Sequence, residues 1–370
     1  MPLSGYATET GTQRYHRRFP DSHPTHARQL GSCLASSIGA GTYLGDPDEA
    51  TDQRYAEALE TVLACGGNLL DTAINYRCQR AERTIGATLA RLAQQGAIRR
   101  DEVFLCTKGG YLPFDDDVPD DPQRYLADTF ITSGLVPYDE LVAGCHCLAP
   151  DYLDAQLATS LRNLGVETID LYYLHNPEQQ LDQVSHDVFL KRIEAAFQRL
   201  EQRVADGRIR GYGTATWNGY RVSPQARPYL SLAELVGIAR RVVGAEHHFR
   251  AIQLPYNLAM PEAYAFPNQI VDGVSMSVLE AAARLDITVI ASASLLQSRL
   301  AALPATLDRW LPRSDSDAQR AIQFVRSTPG ITTALVGMQR AAHARENLAL
   351  ARLPAWNAEQ IDELFTHQRS

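Results

Sequence analysis

The sequence predicts an α/β fold, a (β/α)8 TIM barrel, and three observations carry that reading. Short apolar runs alternate with amphipathic stretches almost from end to end, which is the signature of parallel α/β architecture. Eight such runs can be counted, the number that closes a barrel. Three of them deliver an ionisable group at the C-terminal end: Asp71 after Asn68–Leu70, Lys108 at the end of VFLCTK, and His175 at the end of IDLYYLH. In a parallel barrel those ends meet on one face, where catalytic residues collect. An open doubly wound sheet is the competing fold. Gly39, Gly41 and Gly45, however, are one residue off the Gly-x-Gly-x-x-Gly spacing that such a sheet uses for a dinucleotide.

Taken in order, residues 1–28 are polar and show neither a period of 2 nor one of 3.6, so they predict a flexible N-terminal arm. His16, His23 and His26 in this arm match no metal-ligand spacing and read as solvated histidines. Residues 29–370 form the single barrel domain. Its first strand and tight turn lie in Ser36–Gly45, and further strands follow at Asn68–Asp71, Val103–Lys108 and Leu171–His175, at Gly211–Ala215, and at Ala251–Leu254, Thr288–Ala291 and Thr333–Val336. The helices between them are placed near Glu49–Cys65, Ala81–Leu92, Asp151–Leu164, Val188–Asp206, Ser231–Val243, Ser277–Leu285 and Ala318–Thr328. Leu153, Leu157, Leu161 and Leu164 illustrate the helical spacing.

The stretch 109–150 breaks the alternation. It reads as a long loop excursion after the third strand, without structure of its own, lying over the mouth as a lid or substrate-contacting segment. Its acids Asp115, Asp116, Asp117, Asp120 and Asp121 lack the spacing of a calcium loop and read as a solvated face. Cys145, His146 and Cys147 stand too close together to wrap one tetrahedral metal, so no metal site is assigned.

Composition narrows the function. The chain has 370 residues, 45% apolar and 21% charged, with a formal net charge of −8 and a pI near 5.7. An acidic protein is a poor partner for nucleic acid or an anionic membrane, and a soluble enzyme of small molecules fits better. No apolar run is long enough to cross a bilayer, and the first thirty residues lack the apolar segment of a secretory signal. The six cysteines are spread along the chain and read as reduced thiols in the cytoplasm. The oligomeric state is left open.

Tyr76 stands five residues after Asp71, in the same loop. The ordered set Asp71, Tyr76, Lys108 and His175, each at the exit of a successive strand, resembles the catalytic tetrad of the aldo-keto reductases. The similarity runs from about Leu30 to Leu350. It implies an NAD(P)-dependent oxidoreductase that moves a hydride between nicotinamide and a carbonyl or alcohol on an aldehyde, ketone or aldose. Carbonyl reduction needs a proton at oxygen, and a phenol with a pKa of about 10 is a poor donor at neutral pH. An ammonium about 4 Å away at an effective dielectric near 20 would lower it by up to roughly three units. Lys108 is therefore expected to lower the pKa of Tyr76, Asp71 to keep Lys108 charged, and His175 to orient the substrate oxygen.

The hydride must come from a cofactor, and the resemblance implies NADP, with NAD as the competing choice. Within IQLPYN, Gln253 matches a residue that bonds the nicotinamide carboxamide, and the second carboxamide contact is either lost or passes to Thr216. Ser292 and Leu295, in ASASLLQSRL, fall where the ring is bound, and Gly337, Met338, Arg340, His343, Glu346 and Asn347 fall in the segment that binds the adenosine end. Three positions depart from the family pattern. Ala215-Thr216 replaces a Ser-Asn pair, Ser292 replaces an aromatic ring, and Gly337 replaces a lysine that faces the 2′-phosphate, a role open to Arg340. Gly337-Met338 resembles the branch that oxidises sugars at the anomeric carbon, the L-fucose and L-galactose dehydrogenases. A cofactor-binding regulatory subunit with little turnover is the alternative within this fold, and a metal-dependent barrel hydrolase is the alternative outside the family.

Overall fold

A computed structural model describes residues 1–366. A first helix, α1 (Glu9–His16), leads to an antiparallel hairpin, β1 (Ala27–Leu30) and β2 (Cys33–Ser36). The alternation then runs β3 (Ile38–Gly41), α2 (Glu49–Ala64), β4 (Leu69–Asp71), α3 (Arg80–Gln94), β5 (Phe104–Gly109), a short α4 (Pro122–Leu126) and α5 (Pro150–Leu164). It continues with β6 (Ile169–His175), α6 (His186–Ala205), β7 (Ile209–Ala215), α7 (Leu232–Val243), β8 (Phe249–Pro255) and α8 (Glu262–Ala265). A second hairpin, β9 (Gln269–Val271) and β10 (Val274–Met276), precedes α9 (Val278–Arg284), β11 (Thr288–Ser292), α10 (Asp317–Ser327), β12 (Ile331–Gly337), α11 (Ala341–Leu348) and α12 (Ala358–Thr366).

Strands β3 to β8 with β11 and β12 pair in parallel into one closed barrel, each on the apolar run that predicted it. The register sets the site. Asp71 lies across from Gly41 and Cys106, Lys108 from Tyr173, and His175 from Ala215, which in turn faces Gln253. Alternation along each strand divides the core in two. Tyr173 points into the barrel with Leu69, Cys106, Ala251 and Ile290, while its neighbour Tyr172 packs outward under the helices. Helix α6 shows why those helices stay in place. Phe189, Ile193, Phe197 and Leu200 fall on one face and are each no more than 1% exposed. Burying each side chain contributes about 1.5–3 kcal/mol. Ser185 caps its start by accepting from the Val188 N–H.

The first 28 residues are not the flexible arm that their composition predicts. They pack under the N-terminal ends of the strands and stopper that end of the barrel. The Asp170 carboxylate accepts from the Ala7 N–H at 2.7 Å, and the Tyr15 hydroxyl donates to the Leu63 carbonyl at 2.6 Å. Arg14 pairs with Asp101 at 2.5 Å and with Glu102 at 2.8 Å. A Cβ on Gly11 would stand 2.1 Å from the Asp101 carbonyl, so only glycine allows this approach. The segment is held by side-chain bonds to backbone and charge rather than by an apolar stripe, which is why it shows no period.

Of the three histidines there, His26 is buried instead of solvated, between Ser37 Oγ at 3.0 Å and the Gly66 carbonyl at 3.0 Å. Burial disfavours its charged form and pulls its pKa down to about 3. The native state then binds fewer protons than the unfolded chain, whose histidine titrates near 6.5. The contribution is complete above that pH and is lost as pH falls toward 3. Urea-unfolding free energies at several pH values between 6 and 4 should fall more steeply for the wild type than for His26→Gln, by about 1.4 kcal/mol per pH unit. Parallel curves would refute this reading of His26.

The excursion also differs from expectation, because it has a core of its own. Leu112, Phe130, Val136, Cys147 and Ala149 cluster on Tyr152 of α5. Its acids lie exposed and two of them reach α3, with Asp116 on Arg80 at 2.6 Å and Asp115 on Arg83 at 2.5 Å. Among the described residues no group of three or more potential metal ligands exists, all six cysteines are free, and no helix is long and apolar enough to cross a membrane.

Candidate active site

The site opens at the C-terminal ends of the barrel strands, in a cavity of about 440 Å³. Asp71 ends β4 and Lys108 stands near the end of β5, both nearly inaccessible. Lys108 Nζ donates to Asp71 Oδ1 at 2.5 Å and to the Thr72 carbonyl at 2.7 Å. Gln253 Nε2 donates to the other Asp71 oxygen at 2.7 Å. A buried ammonium and a buried carboxylate therefore satisfy one another with help from strand β8. Burial works against the Lys108 charge, but Asp71 and Tyr76 outweigh it and hold the lysine pKa above its ordinary value. Burial pushes Asp71 up against the opposing pull of Lys108 and Gln253, and the shared proton stays on the lysine.

Tyr76 follows in the loop after β4. Its ring lies 5.0 Å from Lys108 Nζ and packs edge-on against Tyr43 at 5.0 Å and His175 at 5.7 Å between centroids. Here the sequence-based expectation needs correcting. Burial raises the Tyr76 pKa more than Lys108 lowers it, so the net direction is upward. The phenol is thereby held in its protonated form at neutral pH.

His175 ends β6 and lines the same cavity. Burial, followed by the nearby Lys108 charge, drives its pKa well below the ordinary range, so the ring is neutral. Its Nδ1 is buried without a partner. A second histidine buttresses it. His146 Nε2 donates to the His175 carbonyl at 2.7 Å, and its Nδ1 accepts from Gln180 Nε2 at 2.7 Å. Arg192 donates to Gln180 in turn. The Cys-His-Cys run thus supplies a backbone support, with Cys147 buried in the excursion core.

The structure brings Asp71, Tyr76, Lys108 and His175 together, and Thr216, Gln253, Ser292, Leu295 and Gly337 line the same cavity. The remaining residues of the predicted adenosine segment lie outside it. Met338 and Asn347 are buried, Arg340 and His343 are exposed around the start of α11, and Glu346 accepts from Ser316 Oγ at the cap of α10. A Cβ on Gly337 would meet nothing nearer than Leu44 at 4.0 Å, so crowding does not exclude a side chain there.

The cavity residues that the sequence reading does not assign to the site include Tyr43, Asn75, Tyr111, Asn176, Trp217 and Ser294. The available signals are that Asn75 adjoins Tyr76 and that Trp217 follows the run Gly211–Ala215. Of the excursion only Tyr111 reaches the cavity, donating to Gln179 Oε1 at 2.5 Å. The excursion therefore forms part of the outer wall more than a lid. Asn75 Oδ1, Thr216 Oγ1 and Ser294 Oγ are buried at the cavity without protein partners. Such atoms call for a polar ligand, and they suit the amide and hydroxyl groups of a nicotinamide nucleotide.

The profile of the Aldo/keto reductase family matches residues 37–302. The chain belongs to the aldo/keto reductase family. Among curated relatives of this family member, an aldo-keto reductase of Strobilurus tenacellus is 25% identical over 74% of this chain and 62% of its own length. D-threo-aldose 1-dehydrogenase of a Pseudomonas species is 29% identical over 44% of this chain and 43% of its own. The chain thus spans less than two thirds of the length of these relatives. Of solved structures, an aldo/keto reductase from Klebsiella pneumoniae in complex with NADP and acetate superposes with a TM-score of 0.61 at 19% identity, covering 92% of this chain and 95% of that one. That likeness establishes the shared fold.

Proposed function

We propose that the protein transfers a hydride between NADP and a small carbonyl or alcohol substrate, with NAD as the competing cofactor. The observation that carries this reading is the buried Lys108–Asp71 pair placed against Tyr76, with neutral His175 across the cavity. A protonated phenol and a neutral imidazole on one wall can give a proton to a substrate oxygen and hold it while negative charge develops. The upward shift of Tyr76 keeps the proton on its oxygen at neutral pH, the protonation state that reduction requires.

The nicotinamide ring would supply or accept the hydride, which no residue of the chain can do. Thr216 and Gln253 are assigned to its carboxamide, Ser292 and Leu295 to the ring wall, and Gly337, Met338, Arg340, His343, Glu346 and Asn347 to the adenosine side. The unpartnered Thr216 hydroxyl supports the first of these assignments. The aromatic faces of Tyr43, Tyr111 and Trp217, with the amides of Asn75 and Asn176, favour a polyhydroxylated substrate such as an aldose. The named activity of the Pseudomonas relative agrees with that class. The free thiols accord with a cytoplasmic setting.

Two measurements test the proposal. Absorbance at the reduced-nicotinamide band, followed over a panel of aldehydes, ketones and aldoses, should show turnover with at least one class. Fluorescence titration should show tighter binding of NADPH than of NADH. Tight cofactor binding with no turnover on any carbonyl would favour the regulatory-subunit reading instead.

A further inference from the structure

The three residues that follow Tyr76 adopt a conformation that their side chains resist. Arg77, Cys78 and Gln79 have φ of 47°, 54° and 68°, a left-handed turn built without glycine. Nothing local favours it, so the rest of the fold must hold it in place. The structure shows how. The Arg77 side chain, 1% exposed, pairs with Asp52 of α2 at 2.5 Å, and its guanidinium lies 4.7 Å from the centroid of the Tyr55 ring. The same Asp52 accepts from Arg80 at 2.8 Å and from Thr84 Oγ1 at 3.0 Å, which ties in the first turn of α3. On the outer side the excursion closes over the turn. The Asp116 N–H donates to the Cys78 carbonyl at 2.9 Å, and Gln79 Nε2 donates to the Phe114 carbonyl at 3.1 Å.

We propose that Arg77 is a positioning residue for Tyr76: its half-buried pair with Asp52 pins the left-handed turn and thereby sets the place of the phenol at the cavity wall. Without the pair, Arg77, Cys78 and Gln79 relax toward right-handed backbone, and the residue that precedes them moves with them. The excursion acts from outside as the second jaw of this clamp, which gives its anchoring to α3 a role at the site. Arg77 itself touches no cavity residue through its charge, since its partners are Asp52, Thr84 and the Tyr55 ring. This inference rests on the proposed role of Tyr76.

The test is Arg77→Met, which keeps an unbranched apolar stem and removes the charge, with Asp52→Asn as the milder variant should the first not fold. Misplacement of the phenol should lower kcat by about 10- to 100-fold. KM and cofactor Kd should stay within a few fold. Adding Cys78→Gly and Gln79→Gly to Arg77→Met should recover most of the loss, because glycine accepts positive φ without strain. In the Tyr76→Phe background, Arg77→Met should cost little more. A structural role alone would instead lower cofactor binding and add to the Tyr76→Phe defect.

A readout independent of turnover separates this inference from the proposed function. In ¹³C-tyrosine-labelled protein, the Tyr76 ring resonance, identified by its absence in Tyr76→Phe, should shift in Arg77→Met and return in the glycine background. An unmoved resonance, an unchanged kcat or a loss that glycine does not rescue would overturn the positioning role. A wild type inert to every carbonyl would overturn the functional reading alone and leave the resonance test in force.

Discussion

Tyr76→Phe is expected to lower kcat by about 10²- to 10⁴-fold, the share that a positioned proton donor contributes. Cofactor Kd should remain within a few fold. The variant is clean because only the hydroxyl leaves. The contacts with Tyr43 and His175 are made by the ring, and phenylalanine preserves them, while the hydroxyl's hydrogen bond with the Lys108 ammonium goes with the hydroxyl. The pH dependence has a defined sign. Burial holds the phenol pKa above its ordinary value, so reduction should persist undiminished through neutral pH and fall only on the alkaline side as Tyr76 loses its proton. The oxidative direction, which needs the phenolate as base, should rise over that same side. Activity within tenfold of wild type in Tyr76→Phe would remove the phenol from the mechanism.

The second large effect concerns the charge beneath it. Lys108→Met should destabilise the fold by about 3–5 kcal/mol, the usual cost of breaking a buried pair. Asp71 would be left with a single side-chain donor, Gln253, and the Thr72 carbonyl would lose its partner. Methionine matches the lysine stem in length, so little of that loss would come from a cavity. The double variant Lys108→Met with Asp71→Asn should regain most of the stability, because no charge then remains unpaired. It should not regain turnover. Denaturant midpoints and hydride-transfer rates on the same three proteins decide the matter. A Lys108→Met protein as stable as wild type would mean that the pair contributes nothing to the fold.

The barrel is legible because its strands are short, mostly buried apolar runs bounded by turn residues, and its helices keep a 3.6-residue stripe. Asp71, Lys108 and His175 could be read as neighbours for the same reason, since strand ends in a parallel barrel must converge. Other features left no such trace. The stopper formed by residues 1–28 is held by Tyr15, Arg14 and His26 through polar bonds to distant backbone and charge, and such pairings have no period to detect. The left-handed turn at Arg77–Gln79 carries no glycine, and the Asp52 that sustains it lies 25 residues away in sequence. The direction of the Tyr76 shift is not legible in the sequence, because attraction to Lys108 follows from spacing whereas the larger desolvation of the phenol depends on the walls around it. The excursion core was missed because Leu112, Phe130 and Val136 are far apart along the chain and follow no repeat.

The burial of Lys108 has a practical outcome for attaching the protein to surfaces. The chain contains only two lysines, and the other, Lys191, lies exposed on helix α6. An amine-reactive resin or electrode would thus find one lysine handle, Lys191 on the barrel flank. That handle is not at the mouth. Immobilised by ordinary lysine chemistry, the molecules would present their cavities to the bulk solution with no engineered tag.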